Sequence, residues 1–251
     1  MMPFTLTSTG ARLHYLDTGG AGEPVLLVHG LLGTASQHFG RLIEWLKPQY
    51  RVLGLTLRGY GYSEPKPRTF PPNFYEIDGR DIVAFLEAVN PGPVHLIGYS
   101  DGGESSLVAA GLAPQQIRSV TTIGATGYLS PLSRDRVRVY PGDWITPEDV
   151  QMHGIADRAA FTKQWEDSFK GMIDAGGDLS LRSAHLVTCP VLMLLGDRDA
   201  LNPAEAAQVY LDRVPHGRLE LIPDCGHGVH VEKWDEFIAL LGPHLKHSGG
   251  Q

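Results

Sequence analysis

Three residue types needed for acyl transfer stand far apart in this 251-residue chain. Ser100 lies in Gly98-Tyr99-Ser100-Asp101-Gly102, Asp199 in Gly196-Asp197-Arg198-Asp199, and His227 in Asp224-Cys225-Gly226-His227. A serine hydroxyl is a poor nucleophile at neutral pH. It needs a base to take its proton, and the base needs an acid to orient it. The pattern G-x-S-x-G becomes informative only between a strand and a helix, where glycines let the chain reverse sharply with Oγ projecting. Val94-His95-Leu96-Ile97 before it reads as a buried strand, and Gly103 to Ala113 after it as a helix. The N-terminus of that helix then faces the reacting centre and favours negative charge there.

Acid and base are expected just past later strands, in the order Ser, Asp or Glu, His. Val191–Leu195 is followed by Asp197 and Asp199, and Leu219–Ile222 by His227. Asn202-Pro203-Ala204-Glu205 reads as the next helix start, which leaves Asp199 in the outer loop, free to reach across, and gives Asp197 to loop backbone. His227 is preferred to His230, which stands at the mouth of the last helix. His14 and His95, within strands, read as structural. An oxyanion would need two backbone N–H groups, one from Asp101 and one from the loop His29-Gly30-Leu31-Leu32-Gly33, where Leu31 is the expected donor. The Asp101 carboxylate poses a problem. Turned inward, it repels an oxyanion about 6 Å away by on the order of 3 kcal/mol at an effective dielectric of ~20. A cation must offset it, from the substrate or from a protein group such as Arg58 or a nearby histidine, or the side chain must point elsewhere.

The elements that would position these groups follow from periodicity. Phe4–Leu6 and Leu13–Leu16 read as a hairpin, and Val25–Val28, Tyr50–Leu55 and Val120–Ile123 as further strands. Phe39, Leu42, Ile43 and Leu46 mark one helix, and Ile82, Phe85, Leu86 and Val89 another. A last helix carries Trp234, Phe237, Ile238 and Leu241 and is expected to stop near Gly242-Pro243, before a mobile tail from Ser248 to Gln251. Alternating strands and helices predict an α/β fold with a mostly parallel, doubly wound, eight-stranded sheet. Between the sixth and seventh strands the alternation breaks. Thr146-Pro147-Glu148-Asp149 reads as a helix start, and Phe161, Trp165, Phe169 and Met172 as an amphipathic stripe. The expected organisation is a core of residues 1–124 and 185–251 with a helical cap at 125–184.

Composition narrows the partners. A net charge of −7, with no basic cluster, argues against nucleic acid or an anionic membrane. No signal peptide or membrane span is evident, and the two cysteines, Cys189 and Cys225, have no metal-binding spacing. A cytoplasmic protein with a small-molecule partner, no metal and no cofactor is expected.

Taken together, His29-Gly30, Arg58-Gly59-Tyr60-Gly61-Tyr62-Ser63, the Ser-Asp-Gly-Gly elbow, Gly196-Asp197-Arg198-Asp199 and Gly226-His227 resemble the α/β-hydrolase superfamily over nearly the whole chain. With Phe70-Pro71-Pro72-Asn73-Phe74, the likeness is to its biphenyl hydrolase-like branch. The resemblance implies a triad of Ser100, Asp199 and His227. It also implies hydrolysis of esters whose acyl part bears a free α-amino group, held by Asp101. A carbon–carbon bond hydrolase of aromatic ring-cleavage products using the same triad, or a general carboxylesterase, is the alternative, and a non-catalytic small-ligand binding protein a more distant one. Two departures stand out. Thr56 replaces the aspartate that the superfamily often has two residues before the Arg-Gly, and the cap matches only loosely.

Overall fold

The computed structural model describes residues 3–248. Strands β1 (Phe4–Leu6) and β2 (Arg12–Asp17) form the expected antiparallel hairpin. Then follow β3 (Pro24–Val28), α1 (Ala35–Leu46), β4 (Arg51–Leu55), α2 (Phe74–Val89), β5 (Val94–Tyr99), α3 (Asp101–Leu112) and β6 (Ile117–Ile123). Helices α4 (Pro147–His153) and α5 (Arg158–Asp174) precede β7 (Val191–Gly196). The chain continues through α6 (Ala204–Leu211), β8 (Gly217–Ile222), α7 (Val229–Glu232) and α8 (Trp234–Ser248).

All eight strands join one sheet in the order β1-β2-β4-β3-β5-β6-β7-β8, parallel from β4 to β8. The uninterrupted apolar strands follow from burial on both faces. Along β3, Val25 and Leu27 face one core with Phe39, Leu42, Leu46, Phe237 and Leu241. Leu26 and Val28 face the other, with Ile82, Phe85 and Leu107. The order reverses between β3 and β5, and in open parallel sheets such a switch opens a crevice beyond the strand ends. The loops carrying His29 and Ser100 both leave from there.

The segment between β6 and β7 is helical, as the broken alternation predicts. Thr146 caps α4 with a full capping box: its hydroxyl accepts from the Asp149 N–H, and the Asp149 carboxylate accepts from the Thr146 N–H. Helix α5 buries Trp165, Phe169 and Met172. One expectation fails at the end of the chain. Helix α8 does not stop at Gly242-Pro243 but runs on to Ser248. Pro243 removes one N–H donor, yet the turns beyond it are held because Leu245 joins the core and His244 bonds the Val120 carbonyl at 3.2 Å. Of the expected mobile tail, Ser248 closes this helix and 249–251 lie outside the described residues.

Candidate active site

Ser100 closes β5 with φ +53° and ψ −124°, outside the regions an L-residue ordinarily occupies. Such strain persists only where the surroundings impose it. The flanking glycines make the turn possible by close approach. A Cβ on Gly98 would lie 2.4 Å from the Gly102 carbonyl oxygen, and one on Gly102 would lie 2.2 Å from that of Val28. The first turn of α3 therefore packs directly on the ends of β5 and β3.

His227 reaches Ser100 from beyond β8, with Nε2 3.0 Å from Oγ. Its Nδ1 lies 2.7 Å from Asp199 Oδ2, so a continuous chain of hydrogen bonds joins three residues placed 127 and 28 positions apart. Asp199 also accepts from the Leu201 N–H at 3.0 Å and from Asn202 Nδ2 at 3.0 Å. Burial would raise its pKa, but His227, Asn202 and Leu201 together hold it below the usual carboxylate value. Asp197 instead accepts from the Cys225 N–H at 3.3 Å, a bond to loop backbone. His230 is buried with Nε2 on the His38 carbonyl, and burial first of all pushes its pKa down to about 4. It packs on Tyr99 and Phe39 and does not contact Ser100. His14 and His95 are buried against sheet neighbours, and both cysteines are buried and free.

The loop after β3 comes close to Ser100. A Cβ on Gly30 would stand 2.9 Å from Ser100 Cβ, so only glycine allows this approach. Leu32, two residues on, also adopts a positive φ of +52°. Asp101 N–H, at the first turn of α3, has no acceptor within its own helix.

The Asp101 carboxylate points inward and is almost fully buried. It accepts from Tyr75 Oη–H at 2.7 Å and from Trp165 Nε1–H at 2.9 Å. Arg58, one candidate for its neutralisation, is elsewhere: its guanidinium forms a bidentate pair with Asp81 at 2.5 and 2.6 Å. Thr56 does not take part in that pairing; its hydroxyl lies 3.4 Å from His14 Nδ1. Burial pushes the Asp101 pKa up to about 6, against the pull of Tyr75, the more distant Arg68 charge and Trp165.

Glu104, three residues further along α3, is a second buried acid, and no sequence motif singles it out. Its oxygens accept from the Thr126 and Gly127 N–H groups at 2.8 and 2.7 Å, and burial pushes its pKa up to about 7. Its spacing of four from Ser100 would have placed it on the same helix face. Ser100, Asp101, Glu104, Trp165, Phe169, Asn202 and His227 line one cavity of about 20 Å³, and no lysine or arginine shares it among the described residues. Larger cavities, up to about 390 Å³, lie away from Ser100. Tyr75 and Trp165 come from α2 and α5, remote in sequence, and nothing local marks them as partners of Asp101.

The described residues contain no cluster of metal-ligand type and no helix long and apolar enough to cross a membrane. A family model described as the alpha/beta hydrolase family matches residues 25–240. The chain is similar to the serine hydrolase BPHL of Homo sapiens, 32% identical over 249 residues, and to that of Mus musculus, 31% identical over 247 residues. Each comparison covers 94% of this chain and 84% of the relative. It is also similar to the 2-hydroxymuconate semialdehyde hydrolase of Pseudomonas sp. (strain CF600), at 24% identity over 96% of this chain and 92% of the relative. In fold it is similar to an esterase from Thermogutta terrifontis, with a TM-score of 0.74, 23% identity and 99% of each chain covered. Sheet order, elbow and chain-long likeness agree, and the chain belongs to the alpha/beta hydrolase family and is a hydrolase.

Proposed function

We propose that this hydrolase is a serine esterase that cleaves α-amino-acid esters through an acyl-enzyme. Ser100 Oγ adds to the ester carbonyl while His227 Nε2 takes its proton, and Asp199 holds the imidazole and stabilises its charge. The Leu31 and Asp101 N–H groups receive the oxyanion. Collapse expels the alkoxide, protonated by His227, and leaves the acyl group on Ser100. Water then attacks that carbonyl, gives its proton to His227, and Ser100 takes it back as the free amino acid departs. Residues 125–184 form the cap over this site, and the Asp101 carboxylate receives the substrate ammonium.

One observation carries the substrate class. Two buried carboxylates, Asp101 and Glu104, share the cavity of Ser100 with no lysine or arginine among the described residues of its lining. A buried acid that has hydrogen bonds but no contacting cation favours a positively charged ligand, because a unit charge nearby gains far more there than in water. The same field opposes an anionic acyl group. This weighs against the carbon–carbon hydrolase reading, which would put a substrate carboxylate there. A general carboxylesterase is the competing reading, supported by the two neutral donors already on Asp101.

The discriminating experiment compares kcat/KM for an α-amino-acid ester and its N-acetylated twin, in the parent and in Asp101→Asn. The parent is expected to prefer the free amine by about tenfold to hundredfold, corresponding to ~1–3 kcal/mol for a charge-assisted contact, and the variant to lose that preference. Equal rates for the two esters in the parent would establish a general esterase instead.

A further inference from the structure

Glycine is required at position 30 by its closeness to Ser100, yet glycine is also the residue least able to hold one backbone conformation. Two imidazoles remove that freedom. His29 is fully buried, and its Nε2 accepts from the Leu57 N–H at 3.0 Å. Its ring proton therefore sits on Nδ1, which donates to the Gly30 carbonyl at 2.8 Å. The peptide on the other side of Gly30 is held from α1. Gly30 N–H donates to His38 Nδ1 at 3.1 Å.

His38 is itself firmly placed. Its N–H bonds the Thr34 carbonyl, and its carbonyl accepts from His230 Nε2 at 3.1 Å. Its ring meets Tyr99 edge-on with centroids 5.3 Å apart. It also fills the space beside Gly33, where a Cβ would come within 2.4 Å of it. The ring thus rests on the same loop whose first glycine it binds.

We infer that His38 is a positioning residue for the oxyanion site, acting with His29 to fix through Gly30 the direction in which the Leu31 N–H points. This role rests on the proposed acyl-enzyme reading and follows from peptide geometry. In a planar trans peptide, the carbonyl of one residue and the N–H of the next point in opposite directions. His29 fixes the Gly30 carbonyl and so the axis of the Leu31 N–H, while His38 fixes the preceding peptide. With both planes held, φ and ψ of Gly30 are determined, and the donor is aimed before substrate arrives. Preorganised donors of this kind act on the transition state more than on bound substrate. His38 must accept a hydrogen bond for this and so must be neutral. Burial pushes its pKa down to about 4, which keeps it so at neutral pH.

The test is kinetic. His38→Phe keeps a ring but offers no acceptor, whereas His38→Asn places an amide oxygen near the position of Nδ1. Loss of one oxyanion donor costs about 10²–10³ in kcat, and a mis-aimed donor less. His38→Phe is therefore expected to lower kcat about tenfold to hundredfold with KM within about twofold. Affinity for an alkyl boronic acid, which forms a tetrahedral adduct with serine, should fall by a similar factor. His38→Asn should recover most of the loss. A Phe variant with parent kcat, or one in which only KM rises, overturns the assignment. If the Phe variant does not fold, His38→Ala with and without added imidazole takes its place. Rescue of kcat by imidazole supports the role, and a parent-like kcat without it overturns the role. Ser100→Ala is measured alongside. Activity retained there refutes the acyl-enzyme reading itself, whereas an inactive Ser100→Ala beside a fully active His38→Phe refutes the role of His38 alone.

Discussion

Two aspartates stand beside the Ser100–His227 pair and are treated in opposite ways, Asp101 in the lining of the small cavity and Asp199 behind it on His227. Asp199 receives an imidazole, a backbone N–H and an asparagine amide, and its pKa is held low. Asp101 receives a phenol and an indole, both neutral, and its pKa is pushed up to about 6. Both are buried, so burial is not the difference. The first has its counter-charge within the protein whenever His227 is protonated. The second is oriented but not neutralised by anything it touches. Under the proposed function an acid of the first kind orients a neighbour, and one of the second kind receives a charge from the substrate.

The largest test of this contrast is Asp199→Asn. An amide in that position favours the wrong imidazole tautomer, and kcat is expected to fall by about 10³–10⁴. Stopped-assay turnover on free-amine and N-acetyl esters should fall by the same factor, leaving the preference between them intact. A changed preference would mean that the two aspartates do not have separate tasks.

Next in size is an effect on stability. Glu104 has a folded pKa of about 7, above the ordinary value of 4.5, so the folded protein holds this proton more tightly than the unfolded chain. Its contribution is present in full below pH 4.5 and is lost as pH rises through about 7. The loss is on the order of 3 kcal/mol, because each tenfold difference in proton affinity between folded and unfolded chain is worth ~1.4 kcal/mol. Asp101 acts in the same direction up to about pH 6. Urea unfolding at about pH 5 and about pH 8 should show the parent losing stability with rising pH, and Glu104→Gln losing less. Parallel pH dependences in the two proteins would contradict the assignment of a buried, proton-holding Glu104.

The smallest effect concerns selectivity. The Asp101 carboxylate attracts an ammonium only when ionised, so preference for the free amine should weaken as pH falls through about 6. From about pH 7.5 to about pH 5 the ratio of kcat/KM values should drop by about tenfold, since each pH unit below the pKa removes roughly a factor of ten in the charged form. A flat ratio over that range would show that Asp101 does not recognise the amine.

Much of the architecture was legible because it depends on local patterns. Continuous apolar runs mark strands covered on both faces, and Ser100, Asp199 and His227 stand where short strands end in glycine-rich loops. The pairing of Asp81 with Arg58 was not legible, because it joins a loop to a helix across 23 positions by side chains alone. Tyr75 and Trp165 converge on Asp101 from two helices, and only tertiary packing brings them there. Glu104 was legible in principle, as an acid one helical turn past Ser100 in a run of small residues. The end of the last helix was not legible, because Gly-Pro ordinarily ends a helix, while here burial of Leu245 outweighs one missing hydrogen bond.

The cavity beside Ser100, at about 20 Å³, is close to the size of a single water molecule and far below that of any ester. For probe chemistry this has a practical meaning. Reagents will report on how readily Trp165 and Phe169 yield as much as on how reactive Ser100 is. A slim fluorophosphonate and a bulky one should therefore differ in the speed of labelling even where their intrinsic reactivity is matched. Slow labelling by the bulky reagent would then measure access, and would say nothing against the nucleophile.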